Sequence, residues 1–270
     1  MTARRQQDRA QHILLLGASG VSGLAFIQEH PSIPDTKPTK PYLTLYIRGA
    51  GRSKLTPVLA SATSNDTPAN KIRIVEGGLT DANAIRTALS ADGDFPKVTV
   101  VISVLGAYMS LYYFLTRTKP TPISDAMNST IIPAMREMDI KRIFVLSTPS
   151  AFPVPGESKQ KSWGWYFSSL IPIVAVPQAN AEMKGIAHAI MDNSSSSLER
   201  KQGLEATVFR VPMLSEGSGE LEVRAFVIGG EGNTENRTLN RRSMARWVLK
   251  ELEERKWVGG APVLCNLVAS

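Results

Sequence analysis

Two rhythms of apolar positions alternate along this chain. Short apolar runs of strand type lie at Ile13 to Gly17, Tyr42 to Ile47, Lys71 to Val75, Val98 to Val104, Arg142 to Ser147, Leu204 to Val211 and Pro262 to Val268. Val98 to Val104 is almost continuously β-branched, the mark of a strand covered on both faces. Between these runs the apolar residues take helical spacing. Val21, Leu24, Ala25 and Ile27 form one stripe. Ile85 and Leu89 follow Thr80 or Asp81 as a helix cap. A helix is predicted around Ile123 to Met138. Gln178 to Met191 carries Met183, Ile186, Ala187 and Ile190 on one face, and Asn240 to Glu254 turns Met244, Trp247, Val248 and Leu252 inward. Strand and helix in alternation predict an α/β fold of Rossmann type. Its sheet is doubly wound and mostly parallel, with helices on both faces and right-handed crossovers.

Polar and proline-rich stretches interrupt the alternation. Pro31, Pro34, Pro38 and Pro41 mark a surface connection, and residues 61 to 70 a polar loop. Residues 150 to 177 hold too many prolines for one helix, together with Trp163, Trp165, Tyr166 and Phe167. That content suits a lid over an apolar ligand. With Lys159 and Lys161 beside the tryptophans, a patch for a partner or a membrane surface is the alternative. Tyr108 to Phe114, also aromatic, fits a cleft lining or a packed loop equally. Residues 214 to 236 are glycine-rich and hairpin-like around Val223 to Ile228, which predicts a small C-terminal substrate lobe. The expected organisation is a disordered polar tail over 1–11 and one nucleotide-binding domain over 12–270. Lobe segments are expected near 150–177 and 212–240.

The chemistry-bearing stretch is Gly17-Ala18-Ser19-Gly20-Val21-Ser22-Gly23, set between the first strand and the first helix. Gly17 lets the strand turn sharply, Gly20 lets a pyrophosphate approach the backbone, and Gly23 lets the helix pack close. The helix N-terminus then offers free N–H groups and partial positive charge. After the second strand, where an acid would select NAD through the ribose 2′-hydroxyl, stand Arg48, Arg52 and Lys54. Three cations with no acid in the turn point to a 2′-phosphate, hence to NADP(H). Leu105-Gly106-Ala107, after the fourth strand, leaves room for the cofactor.

Composition narrows the partners. Of 270 residues 43% are hydrophobic, enough for a large core, and the net charge is +7 with the cations scattered. Nucleic-acid binding is therefore not expected. The single cysteine, Cys265, excludes an intramolecular disulfide and fits a reducing, cytoplasmic setting. It sits in an apolar strand and reads as a buried, inert thiol. His12, His30 and His188 show no metal-ligand spacing, so no metal is expected. No apolar run reaches transmembrane length, and a monomer or homodimer is expected.

The whole pattern resembles the atypical short-chain dehydrogenase/reductases, in the NAD(P)H-binding group that includes NmrA-like and biliverdin-reductase-B-like proteins. The resemblance is carried by Gly17-x-x-Gly20-x-x-Gly23, Arg48, Leu79-Thr80-Asp81, Val101 to Gly106, Arg142 to Ser147, Thr207 to Pro212 and Asn240 to Arg246. It implies that Gly17 to Gly23 hold the pyrophosphate, and Arg48 with Arg52 or Lys54 the 2′-phosphate. It further implies that Leu79 and Thr80 flank the adenine, Leu105 to Ala107 border the nicotinamide ribose, and Val211 and Pro212 border the nicotinamide.

The usual proton-donating Tyr-x-x-x-Lys pair of the superfamily is absent. Lys184 lies on a helix of the right order, but Asn180 stands four residues before it. Ser147, Lys184 and Tyr166 are then the candidate catalytic residues, with Thr148 beside Ser147. The expected activity is NADPH-dependent reduction of a small apolar or aromatic carbonyl or enone, with a place in secondary metabolism left open. The alternatives are a non-catalytic NADP(H)-sensing regulator and a non-redox isomerase or dehydratase.

Overall fold

The computed structural model describes residues 11–30, 41–63, 71–106, 116, 120–157, 164–165, 173–174, 176–194, 203–234 and 236–267. Tyr108 to Phe114, Tyr166 and most of the expected lid and N-terminal tail lie outside these residues.

The apolar runs become strands β1 (His12–Leu16), β2 (Tyr42–Ile47), β3 (Ile72–Glu76), β4 (Val100–Ser103), β5 (Arg142–Ser147) and β6 (Glu205–Arg210). Further along come β7 (Met213–Ser215), β8 (Val223–Phe226), β9 (Thr238–Asn240) and β10 (Val263–Asn266). The main sheet has the order β3-β2-β1-β4-β5-β6-β10-β8, parallel except for β8 at its edge. Every β1 residue is buried. Ile13 and Leu15 enter one core cluster, Leu14 and Leu16 the other, as a period of two requires.

Helices α1 (Val21–Glu29), α2 (Arg52–Thr63) and α7 (Arg241–Glu254) cover one face. Helix α3 (Ala82–Leu89), the short α4 (Pro122–Ala126) and α5 (Ile132–Glu137), and α6 (Pro177–Met191) cover the other. Asp81 caps α3 by accepting from the Ala84 N–H at 2.9 Å. Asn240 caps α7 in the same way. The helix expected over Ile123 to Met138 is interrupted by a π turn at Met127–Ile131. Pro133 supplies the cause: it lacks an N–H, and its ring would clash with the carbonyl one turn earlier.

Two local expectations are corrected. The stretch after β2 is helical from Arg52 through Thr63 despite Pro57, so residues 61–63 end a helix rather than begin a loop. Leu55, Val58 and Leu59 drive it, because they carry helical spacing and pack into the core. Val223–Phe226 is not half of a hairpin. It pairs antiparallel with β10, and Trp165 packs edge-on against Phe226 at 6.2 Å over Val263 and Cys265. Strand β8 thus extends the main sheet beyond β10 and forms its edge. What remains separate in the C-terminal region is a two-stranded parallel sheet of β7 and β9.

Candidate nucleotide site

In the order 3-2-1-4 the chain reverses direction between β1 and β4, and ligands of such sheets sit at the carboxyl ends beside that point. The glycine loop lies there. Gly17 has φ +84°, a conformation that side chains disfavour, and a Cβ on it would approach Leu105 N at 3.2 Å. The loop after β1 is therefore seated directly on the loop after β4. A Cβ on Gly23 would lie 2.3 Å from the Gly17 carbonyl oxygen, so only glycine lets α1 start this close to the strand. Gly20 is less crowded than Gly23: among the described residues its Cβ would meet the Gly17 carbonyl oxygen, at 3.3 Å. Among the described residues no side chain caps α1, and its first turn carries no acid. Such a helix N-terminus beside a glycine turn fits the diphosphate of a dinucleotide.

The turn after β2 touches the same loop, since a Cβ on Gly51 would fall 2.6 Å from Ser19 Oγ. Arg48 precedes this turn in extended conformation and is exposed, and Lys54 is exposed on α2. Arg52 is not isolated: its Nη1 donates to Glu76 Oε1 at 2.7 Å. The turn itself holds no acid, as its sequence indicates, but β3 brings one to it. At the end of β3 the Tyr46 hydroxyl donates to the Gly78 carbonyl at 2.7 Å, fixing the strand-to-helix loop that carries Leu79 and Thr80. Burial, with the Asp81 charge nearby, pushes the Tyr46 hydroxyl up to about 12, so it stays a neutral donor. Leu105 and Gly106 follow β4, while Ala107 lies outside the described residues. Val211 and Pro212 follow β6, and the Val211 N–H donates to Ser147 O at 2.9 Å.

The candidate catalytic residues are placed less simply. Ser147 was expected to face substrate. It is instead fully buried, and its hydroxyl donates to the Met183 carbonyl at 3.1 Å. As placed, it fastens α6 to the end of β5. Thr148 is half-buried, and its hydroxyl accepts from the Ala151 N–H. Lys184 is exposed on α6. The same helix sends Glu182 inward, where Oε1 accepts from the Ser124 N–H at 2.7 Å and caps α4. Burial raises the Glu182 carboxyl, opposed by the hydrogen bonds from Ser124 and Ile123.

A buried ion pair that local sequence pattern does not signal organises the expected lobe. Glu157 and Arg210 are both fully buried and joined by two hydrogen bonds of 2.7 Å. Glu157 also accepts from the N–H groups of Val154 and Ile228. It so ties the described start of the 150–177 segment and the end of the β8 region to β6. Burial opposes the charge on Glu157, but the Arg210 guanidinium and these N–H groups hold its carboxyl below the usual range.

Among the described residues no group of three or more His, Cys, Asp or Glu converges as metal ligands would. No helix there is long and apolar enough to cross a membrane. Burial pushes the Cys265 thiol up to about 12, so the thiolate is disfavoured.

A family model described as NAD(P)H-binding matches residues 51–255. The chain belongs to this NAD(P)H-binding family. The match begins at Gly51, so the glycine loop rests on its own geometry. No curated protein matches the chain by sequence. Among solved structures, the chain is similar to a short-chain dehydrogenase/reductase from Veillonella parvula DSM 2008 in complex with NADP. The two are 14% identical with a TM-score of 0.64, and the alignment covers 95% of each chain. It is similar also to ChuY, an anaerobillin reductase from Escherichia coli O157:H7, at 15% identity and TM-score 0.62, over 96% of this chain and 100% of that one. A third is a Rossmann-fold NAD(P)-binding family protein from Shigella flexneri. It is 15% identical with a TM-score of 0.59, over 96% of this chain and 94% of that one. At these identities the likeness establishes the shared Rossmann fold.

Proposed function

We propose that this protein is an NADPH-dependent reductase of a small apolar carbonyl or enone. The observation that carries the reading is the glycine turn at a helix N-terminus without a described side-chain cap, in contact through Ser19 with the turn that bears Arg48 and Arg52. In this reading Gly17 to Gly23 bind the diphosphate through backbone N–H groups. Arg48, Arg52 and Lys54 surround the 2′-phosphate. Leu79 and Thr80 flank the adenine. Leu105, Gly106 and Ala107 border the nicotinamide ribose, and Val211 and Pro212 the nicotinamide. The cofactor, when bound, supplies a hydride. The NADP bound by the Veillonella relative supports the choice of nucleotide.

For the proton, Lys184 and Tyr166 are the proposed donors. Ser147 acts as a positioning residue that holds α6, and with it Lys184, at the end of β5. A monomer or homodimer acting in the cytoplasm completes the proposal. The test is a fluorescence titration with NADPH and NADH, followed by NADPH oxidation against quinones, flavins, ketones and enones. Tighter binding of NADPH and turnover of one substrate class are expected. Equal binding of the two nucleotides, or no turnover across the panel, would count against the reading.

One observation favours a second reading, an NADP(H)-sensing regulator without catalysis: Asn180 stands where a proton-donating tyrosine would precede Lys184. That reading expects normal nucleotide binding, no turnover, and capture of a partner protein in one redox state only.

A further inference from the structure

Strand β3 brings a carboxylate to the turn that the nucleotide's 2′ position is expected to approach. Glu76 is the last residue of β3 and pairs with Ile47, the last residue of β2. The Gly77 N–H donates to the Ile47 carbonyl at 2.9 Å, which keeps the two strand ends together. From there Glu76 Oε1 accepts from Arg52 Nη1 at 2.7 Å. Its other oxygen lies 3.5 Å from the position of a Cβ on Gly49. The carboxylate therefore sits across the mouth of the turn that Arg48 opens and Arg52 closes. Both partners are accessible, with side chains 67% and 40% exposed, so the pair opens at little cost.

We propose that Glu76 sets the nucleotide preference of this site by occupying Arg52 and opposing negative charge at the 2′ position. The proposal rests on the NADP(H) reading above. A 2′-phosphate brings about two negative charges to the turn and must compete with Glu76 for Arg52. A 2′-hydroxyl brings none and can donate to the carboxylate. The acid that an NAD site carries at the end of β2 is thus supplied here from the neighbouring strand. Glu76 thus narrows the margin by which the site prefers NADP(H) over NAD(H).

The test is isothermal calorimetry of wild type, Glu76→Gln, Arg48→Ala and the double variant Glu76→Gln/Arg52→Ala, with NADPH, NADH, 2′,5′-ADP and 5′-AMP as ligands. Removing the carboxylate is expected to tighten NADPH and 2′,5′-ADP about fivefold, with the gain shrinking as salt rises. NADH and 5′-AMP are expected to stay within about twofold or to weaken. The double variant is expected to lose the gain. If Glu76→Gln binds NADPH within about twofold of a wild type that does prefer NADPH, the proposal is overturned and the NADP(H) reading stands. If Arg48→Ala binds NADPH as wild type does while Glu76→Gln still tightens it, the 2′-phosphate role of Arg48 fails and Glu76 stands. Wild type that binds no nucleotide overturns both.

Discussion

Arg210 and Glu157 meet with neither side chain exposed, through two parallel hydrogen bonds of 2.7 Å. The guanidinium is further satisfied by the Ala261 and Phe152 carbonyls, and the carboxylate by the Val154 and Ile228 N–H groups. A buried charge pair is costly to assemble but worse to break, because either partner left alone is an uncompensated charge in the core.

Glu157→Ala is accordingly expected to destabilise the protein by about 3–5 kcal/mol in urea denaturation. The double replacement Glu157→Leu/Arg210→Met should recover much of that loss. A double variant as unstable as the sum of the singles would show that the pair is not the source.

His12 gives a pH prediction. It is fully buried between the Pro96 carbonyl and the Thr44 hydroxyl, to which Arg73 Nε also donates. Tyr42 and Phe95 pack around the ring. Burial, and secondarily the Arg73 charge, bring its pKa down to about 4, against the Pro96 hydrogen bond. The unfolded chain therefore binds the extra proton first. The stability contributed by neutral His12 is complete above pH 6.5 and is lost progressively as pH falls toward about 4. His12→Gln should remove this component, so that wild type loses its stability margin over the variant across that window. A margin independent of pH would contradict the assignment.

Ser147 and Lys184 separate by readout. Ser147→Ala removes one buried hydrogen bond and should cost about 1 kcal/mol of stability. Its nucleotide affinity should remain within about twofold of wild type. Lys184→Met should leave stability unchanged and lower kcat by about a hundredfold with the identified substrate. Loss of activity in Ser147→Ala at unchanged stability would restore a direct catalytic role to the serine.

Much of this fold was legible because its strands are covered on both faces: β2 and β5 have the bounds that their apolar runs predict. Helix α2 was obscured by Pro57, although Leu55, Val58 and Leu59 carried its spacing. The strand character around Val223 was legible, but its pairing was not, because its partner β10 lies some forty residues on. At the candidate site the glycine loop was legible from local spacing alone. Glu76 and the Glu157–Arg210 pair were not, since their partners are set by strand order and by long-range packing. Ser147 read as a site residue because it ends a strand at the right edge, but its direction depends on α6.

The central claim is that residues 17–23 cradle a dinucleotide, and Gly20→Ala tests it most directly. Among the described residues the added Cβ meets the Gly17 carbonyl oxygen, at 3.3 Å, so a small local shift should keep the fold, with a Tm within about 2 °C of wild type. Calorimetric titration should then show NADPH binding to wild type and at least about tenfold weaker binding to the variant. Equal affinities for the two proteins at equal stability would contradict the account.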